Sequence, residues 1–138
     1  MAGRSDVEVL EGLLVTEQRL ISAYEAGLRR DAIDPALAEG VLAQEREHVR
    51  ALQRTLGGAD RNPRATVPSP ELTGALRSRS AFARFALRLE AEAVTAYAEA
   101  AANIRDAKLR QPLGSIMACE AAHRVALRDS LGRRPLVD

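Results

Sequence analysis

Apolar residues return every three or four positions along four separate stretches of this chain, which is the period of an α-helix packed on one face. We predict helices over about 5–29, 35–56, 80–105 and 107–131, with residues 57–79 as the one long connection between them. This connection leaves room for a short helical turn within Pro70–Arg77. Short joints between helices make antiparallel hairpins, and a long connection can run the length of a bundle. The pattern therefore predicts an all-α four-helix bundle of two antiparallel hairpins joined by a long crossover.

Local signals place several of the helix ends. Ser5 and Glu8 have the spacing of a capping box at the start of the first helix. Asp34 precedes Pro35, which is the order of an N-cap and a proline at the first helical position. Pro112 leaves the fourth helix open to two interpretations, because a proline beyond the first turn either kinks a helix or marks a later start.

Length and composition exclude several classes of protein. A chain of 138 residues can bury a core, and we expect a single domain over residues 1–138. The net charge of +1 gives no reason to expect a nucleic-acid partner. The sequence has neither the apolar run of a signal peptide nor the ~20 apolar residues of a membrane span, so we expect a cytoplasmic protein with no membrane partner. Cys119 is the only cysteine, which excludes an internal disulfide and a C-x-x-C metal site.

Six ionisable side chains interrupt the apolar faces that these helices would bury. They are Glu17, Glu45, His48, Glu90, Glu120 and His123. A buried carboxylate is costly unless it is paired or binds a metal. Both histidines of the chain end an E-x-x-H pair, whose two side chains lie on one helix face, one turn apart. Two such helices, with one glutamate from each of two others, provide the ligand set of a di-iron or di-manganese bundle.

The two predicted hairpins repeat one pattern. A tyrosine follows the first glutamate by seven residues in each hairpin, at Tyr24 and at Tyr97. The E-x-x-H pair begins 28 residues after that glutamate in the first hairpin and 30 residues after it in the second. The pattern indicates a duplicated hairpin with an offset of 73 to 75 residues.

These residues resemble the ferritin-like superfamily, which includes ferritins, bacterioferritins, rubrerythrins and small bacterial ferritin-like domains. The resemblance extends from Ser5 to Leu131. It implies terminal carboxylate ligands at Glu17 and Glu90, bridging carboxylates at Glu45 and Glu120, and one imidazole per metal at His48 and His123. It also implies that Tyr24 and Tyr97 donate hydrogen bonds to the ligands. Simple packing with a satisfied hydroxyl is the alternative for both tyrosines.

We interpret several residues next to the candidate ligands as solvent-facing or packed residues with no role in the site. Glu92 lies two residues from Glu90 and Glu47 flanks His48, so we expect both to face away from the site. Cys119 is adjacent to Glu120 but off its helix face, and we interpret it as a small packed residue.

The leading functional hypothesis is a site that holds two Fe ions, with Mn or mixed Fe/Mn as the alternative. Its chemistry would be Fe(II) oxidation or reaction with O2 or peroxide, in a ferroxidase- or peroxidase-type di-iron oxidoreductase. No catalytic residue beyond the metal site is expected. Two alternatives stay open: a non-enzymatic metal-binding module, and a metal-free structural or interaction bundle. A homodimer formed through helix faces is a further open prediction.

Overall fold

The computed structural model of the chain describes residues 5–58 and 61–132. Its helices are α1 (Asp6–Arg29), α2 (Pro35–Leu56), α3 (Ser69–Ala75), α4 (Arg79–Asn103) and α5 (Arg110–Ser130). The described residues contain no strand. The prediction of an all-α bundle is confirmed. Residues 1–4, 59–60 and 133–138 lie outside the described residues, so a single domain over 1–138 stays a prediction.

The four long helices pack as two pairs, α1 with α2 and α4 with α5. Each pair is joined by a short segment, whereas α2 and α4 are joined by the long crossover that contains α3. The pairs meet mainly through α1 and α4, and α2 and α5 approach each other less closely. No helix among the described residues has the length and apolar character needed to cross a membrane.

Capping interactions explain where the first two helices begin. The Ser5 hydroxyl accepts from the backbone N–H of Glu8 at 3.2 Å, and the Glu8 carboxylate accepts from the backbone N–H of Ser5 at 2.8 Å. This is the reciprocal pair of a capping box. The Asp34 carboxylate accepts from the N–H of Leu37 at 3.1 Å, directly before the proline that opens α2.

The crossover contains α3, in agreement with the short helical turn that the sequence allowed within Pro70–Arg77, and α4 begins at Arg79, one residue before its predicted start. The start of the fourth helix needs correction. The fourth helix does not begin at 107: a single 3₁₀ turn occupies Ala107–Leu109, and α5 follows. An α-helix starting at 107 would press the Pro112 ring against the carbonyl of residue 108. As the third residue of α5, Pro112 loses no helical hydrogen bond, so it marks a later start and introduces no kink.

A close contact between α1 and α4 fixes how the hairpins approach. Phe82 is fully buried and packs edge-on against Tyr24, with ring centroids 6.0 Å apart. A Cβ added at Gly27 would lie 2.5 Å from the Phe82 ring. Gly27 is therefore the space that allows Phe82 to enter the core. On the outer side the crossover returns along α1, where Gln18 bonds to Asn62.

Candidate metal centre

The structure brings the six ionisable side chains predicted from the sequence into one buried cluster at the centre of the bundle. α1 provides Glu17, α2 provides Glu45 and His48, α4 provides Glu90, and α5 provides Glu120 and His123. All four glutamates are 0% exposed, whereas His48 is 8% and His123 is 4% exposed. The carboxylates are thus removed from water, and the imidazoles lie at the edge of the cluster. Glu47 and Glu92 are exposed, as expected.

The cluster divides into two groups of four residues, and in each the potential ligand atoms lie within 4.8 Å of one another. The groups are Glu17, Glu45, His48 and Glu120, and Glu45, Glu90, Glu120 and His123. Glu45 and Glu120 belong to both. Glu45 places Oε2 3.2 Å from His48 Nδ1 and Oε1 3.0 Å from His123 Nδ1. Glu120 places Oε1 3.2 Å from His48 Nδ1 and Oε2 3.1 Å from His123 Nδ1. Each shared carboxylate therefore directs one oxygen towards each half.

The other two glutamates each face a single histidine. Glu17 Oε1 lies 3.4 Å from His48 Nδ1, and Glu90 Oε1 lies 3.3 Å from His123 Nδ1. A position beside one imidazole is the one that a terminal ligand would occupy. The two halves therefore have the same composition: one carboxylate of their own, one imidazole and a share in two central carboxylates.

Each of the two buried tyrosines donates a hydrogen bond to one of these glutamates, on the opposite hairpin. Tyr97 on α4 donates to Glu17 Oε1 on α1 at 2.5 Å, and Tyr24 on α1 donates to Glu90 Oε1 on α4 at 2.6 Å. Burial and the adjacent carboxylates raise the pKa of both tyrosines well above the ordinary value. Both hydroxyls consequently stay protonated and remain donors, so each hairpin positions a carboxylate of the other.

Each of the four glutamates also has one buried oxygen that accepts no hydrogen bond from the described residues. These atoms are Glu17 Oε2, Glu45 Oε1, Glu90 Oε2 and Glu120 Oε1. The shortage follows from the donors, because each Nδ1 carries at most one proton while three carboxylate oxygens surround it. Buried carboxylate oxygens without a partner are destabilising. Cations in the cluster would satisfy them.

Burial and hydrogen bonding move the pKa values of the clustered groups away from their ordinary values. Burial raises the pKa of Glu45 to about 9 and that of Glu120 to about 7. Burial also acts to raise the pKa of Glu17, but hydrogen bonds with His48 and neighbouring carboxylates outweigh it and lower that pKa. Burial alone would lower the pKa of the histidines, yet hydrogen bonds to the carboxylates raise that of His123 to about 12 and that of His48 well above its ordinary value. A metal ion would have to displace these protons.

The far side of one imidazole has partners that sequence reasoning missed. Gln44 Oε1 lies 2.6 Å from His123 Nε2, and Cys119 Sγ lies 3.6 Å from the same nitrogen. Our interpretation of Cys119 as merely packed was therefore incomplete. Its spacing of four residues before His123 was the available signal, since residues i and i+4 are neighbours on a helix. No spacing could show the contact of Gln44, which reaches a histidine 79 residues away on the other hairpin.

Comparison with known proteins agrees with this architecture. A family model described as a ferritin-like domain matches residues 5–133, a range that contains all six clustered residues. No curated protein and no solved structure is significantly similar to the chain. Because the family model spans nearly the whole sequence, the chain belongs to the family of ferritin-like domains.

Proposed function

We propose that this chain binds two iron ions in the central cluster and carries out Fe(II) oxidation or O2/peroxide chemistry there. The observation that carries the proposal is the set of four buried carboxylate oxygens that accept no hydrogen bond, arranged around two imidazole nitrogens. Four carboxylates and two neutral imidazoles carry a charge that two divalent cations would neutralise. The same set without cations requires several trapped protons.

The donor atoms suit small, oxygen-preferring cations. The N···O separations of 3.0–3.4 Å within each half are close to those between neighbouring ligands on one ion. Bonds of about 2.1 Å at right angles place two ligand atoms roughly 3.0 Å apart. Ligation by several carboxylate oxygens and one imidazole favours Fe or Mn over soft metals, so Mn or mixed Fe/Mn occupancy is the alternative. Bound iron would supply the electrons, with each Fe(II) giving up one electron to O2 or peroxide.

The protein's own residues would hold and orient the reacting centre. Glu45 and Glu120 would bridge the two ions, since each already directs an oxygen to both halves. Glu17 and Glu90 would be terminal ligands, oriented by the tyrosine hydroxyls. The surrounding apolar core excludes bulk water, and small reactants would enter beside His48, the most exposed member of the cluster.

Metal content measured after anaerobic Fe(II) loading and desalting tests the proposal. We expect about two iron ions per chain, the number that this ligand set holds in carboxylate bundles. Adding O2 to the loaded protein should then consume oxygen, which an oxygen electrode measures. It should also produce Fe(III), which absorption spectroscopy measures. Bound iron without oxidation by O2 or peroxide would favour a non-enzymatic metal-binding module. A chain that binds neither Fe(II) nor Mn(II) would favour the metal-free structural or interaction bundle. The cytoplasmic location and the homodimer remain predictions.

A further inference from the structure

The two imidazoles of the cluster differ on the side that faces away from the carboxylates. His123 Nε2 lies 2.6 Å from the amide oxygen of Gln44 and 3.6 Å from the thiol of Cys119. No described residue makes a comparable contact with His48 Nε2. His48 is also the more exposed of the two, at 8% against 4%. The chemical equivalence of the two halves therefore ends at the imidazole rings.

The far nitrogen matters because both histidines turn Nδ1 towards the carboxylates. A neutral imidazole that binds a cation through Nδ1 must carry its remaining proton on Nε2. An acceptor at Nε2 stabilises that tautomer, fixes the plane of the ring and makes Nδ1 a better ligand. The Gln44 amide oxygen is such an acceptor at hydrogen-bonding distance, and the more distant Cys119 sulfur is at most a weak one.

We propose that Gln44 is a positioning residue for His123 and makes the two metal positions unequal. The half formed with Glu90 and His123 takes the first ion and binds it more tightly. The half formed with Glu17 and His48, whose imidazole lacks this support, takes the second ion and releases it more readily. The inference rests on the proposed binding of two cations in the cluster. It adds an order of loading and names the residue that sets it.

The exposed position of Gln44 allows the proposal to be tested by substitution of this residue. Gln44 is exposed on α2 and adjoins Glu45, so replacing it does not open the core. Gln18 offers a matched control, since it likewise adjoins a clustered glutamate, Glu17, and makes one side-chain hydrogen bond. That bond goes to Asn62 in the crossover and touches no histidine.

The test is an anaerobic Co(II) titration of the metal-free full chain, in which the ligand-field absorption of the bound ion measures binding. We expect two binding steps of unequal affinity in the wild type. Gln44→Leu should weaken the tighter step by about 10-fold, at the lower end of what such supporting contacts contribute. Gln44→Glu keeps an acceptor at the same reach and should retain the tighter step, and Gln18→Leu should leave both steps unchanged.

Single-histidine backgrounds show which half responds. In His48→Ala only the His123 half keeps its imidazole, and Gln44→Leu should weaken Co(II) binding there. In His123→Ala the same substitution should have no effect. An equal effect in both backgrounds, or none in either, would overturn the assignment. So would a fall in the thermal stability of metal-free Gln44→Leu that matched its loss of affinity.

The two proposals fail in different ways. A wild-type chain that binds no Co(II), Fe(II) or Mn(II) would refute the proposed function, and the order of loading with it. A wild-type chain that binds two ions, with both steps unchanged in Gln44→Leu, would overturn only the role of Gln44.

Discussion

The two hairpins of this bundle place their clustered glutamates and tyrosines in nearly identical geometry, but they differ in the helix starts and the packing around the cluster. At the centre, the distance from Nδ1 to the glutamate three residues earlier is 3.2 Å for His48 and 3.1 Å for His123. The tyrosine hydrogen bonds measure 2.6 Å from Tyr24 and 2.5 Å from Tyr97. Away from the centre, α2 begins directly at a capped proline, whereas α5 follows a 3₁₀ turn. The centre therefore has the same geometry in both hairpins, whereas the helix starts around it differ.

Packing between α1 and α4 also differs between the two ends of this helix pair. At the offset of 73 residues, Gly27 corresponds to Ala100, and Phe82 corresponds to Val9. At one end of the helix pair, the smallest residue faces a large ring that fills the core. At the other end, Val9 and Ala100 line an open cleft of about 580 Å³. The hairpins therefore repeat the pattern of clustered glutamates, histidines and tyrosines without repeating the packing around it.

The strongest test of the comparison removes one imidazole at a time. If the proposed site binds iron, His48→Ala and His123→Ala should each bind about one iron ion per chain, and the double variant should bind none, because each half would lose its one nitrogen ligand. Metal content after Fe(II) loading and desalting measures this. Glu47→Gln, an exposed change next to His48, is the control and should retain both ions. If either single variant lost both ions, the halves would not be separable.

A smaller effect is expected from the crossed tyrosines. Tyr24→Phe and Tyr97→Phe keep the buried rings and remove only the hydroxyl that holds a glutamate of the opposite hairpin. Each should weaken Co(II) binding by about 10–100-fold, the range for contacts that orient a ligand. In single-histidine backgrounds, Tyr24→Phe should act on the Glu90 half and Tyr97→Phe on the Glu17 half. The reverse assignment would contradict the crossed arrangement.

The packing difference predicts a change in stability. Gly27→Ala should destabilise the fold by about 1–3 kcal/mol, since the added methyl group overpacks the core against Phe82. The corresponding Ala100→Gly should cost less, about 0.5–1 kcal/mol, through backbone entropy alone. Urea unfolding measures both. Combining Gly27→Ala with Phe82→Val should cost less than the sum of the two single changes, because the valine removes the clash. A simple sum would show that Phe82 does not restrict Gly27.

The last predicted difference separates the two central glutamates, Glu45 and Glu120, by pH. A carboxyl whose pKa rises on folding stabilises the fold below its ordinary pKa, and that stabilisation is lost as pH rises through the folded value. The loss should extend from about pH 4.5 to about 9 for Glu45, but only to about 7 for Glu120. Relative to Glu45→Gln, the metal-free wild type should therefore lose several degrees in Tm up to pH 9. Relative to Glu120→Gln, the loss should stop near pH 7, and identical profiles would remove the distinction between them.

Much of the fold and of the candidate site could be predicted from local patterns. Helical periodicity and caps such as Asp34 placed α1 and α2 to within one residue, because both signals act within a few positions of the chain. The six clustered residues were found because ionisable groups on apolar faces are costly. The start of α5 was missed, since its competing signal, Pro112, allows two interpretations.

Contacts between hairpins were beyond the reach of these patterns. Seven-residue spacing showed that Tyr24 and Tyr97 face the core, but not that each donates to the other hairpin's glutamate. The packing of α2 against α5 brings Gln44 to His123, and no periodicity within one helix encodes that packing. Sequence patterns identify the buried face of each helix, whereas the packing of the helices determines which residues that face contacts.

The crossed tyrosine hydrogen bonds bear on how small a unit could contain the whole cluster. One hairpin carries two clustered glutamates, a histidine and a tyrosine whose hydrogen bond is made to a glutamate of the other hairpin. Two copies of a single hairpin, related by a twofold axis, would therefore contain the complete set of donors and both crossed hydrogen bonds. In its glutamates, histidines and tyrosines the centre corresponds to two equivalent hairpins joined in one chain, and the described part of the crossover adds no residue to the cluster.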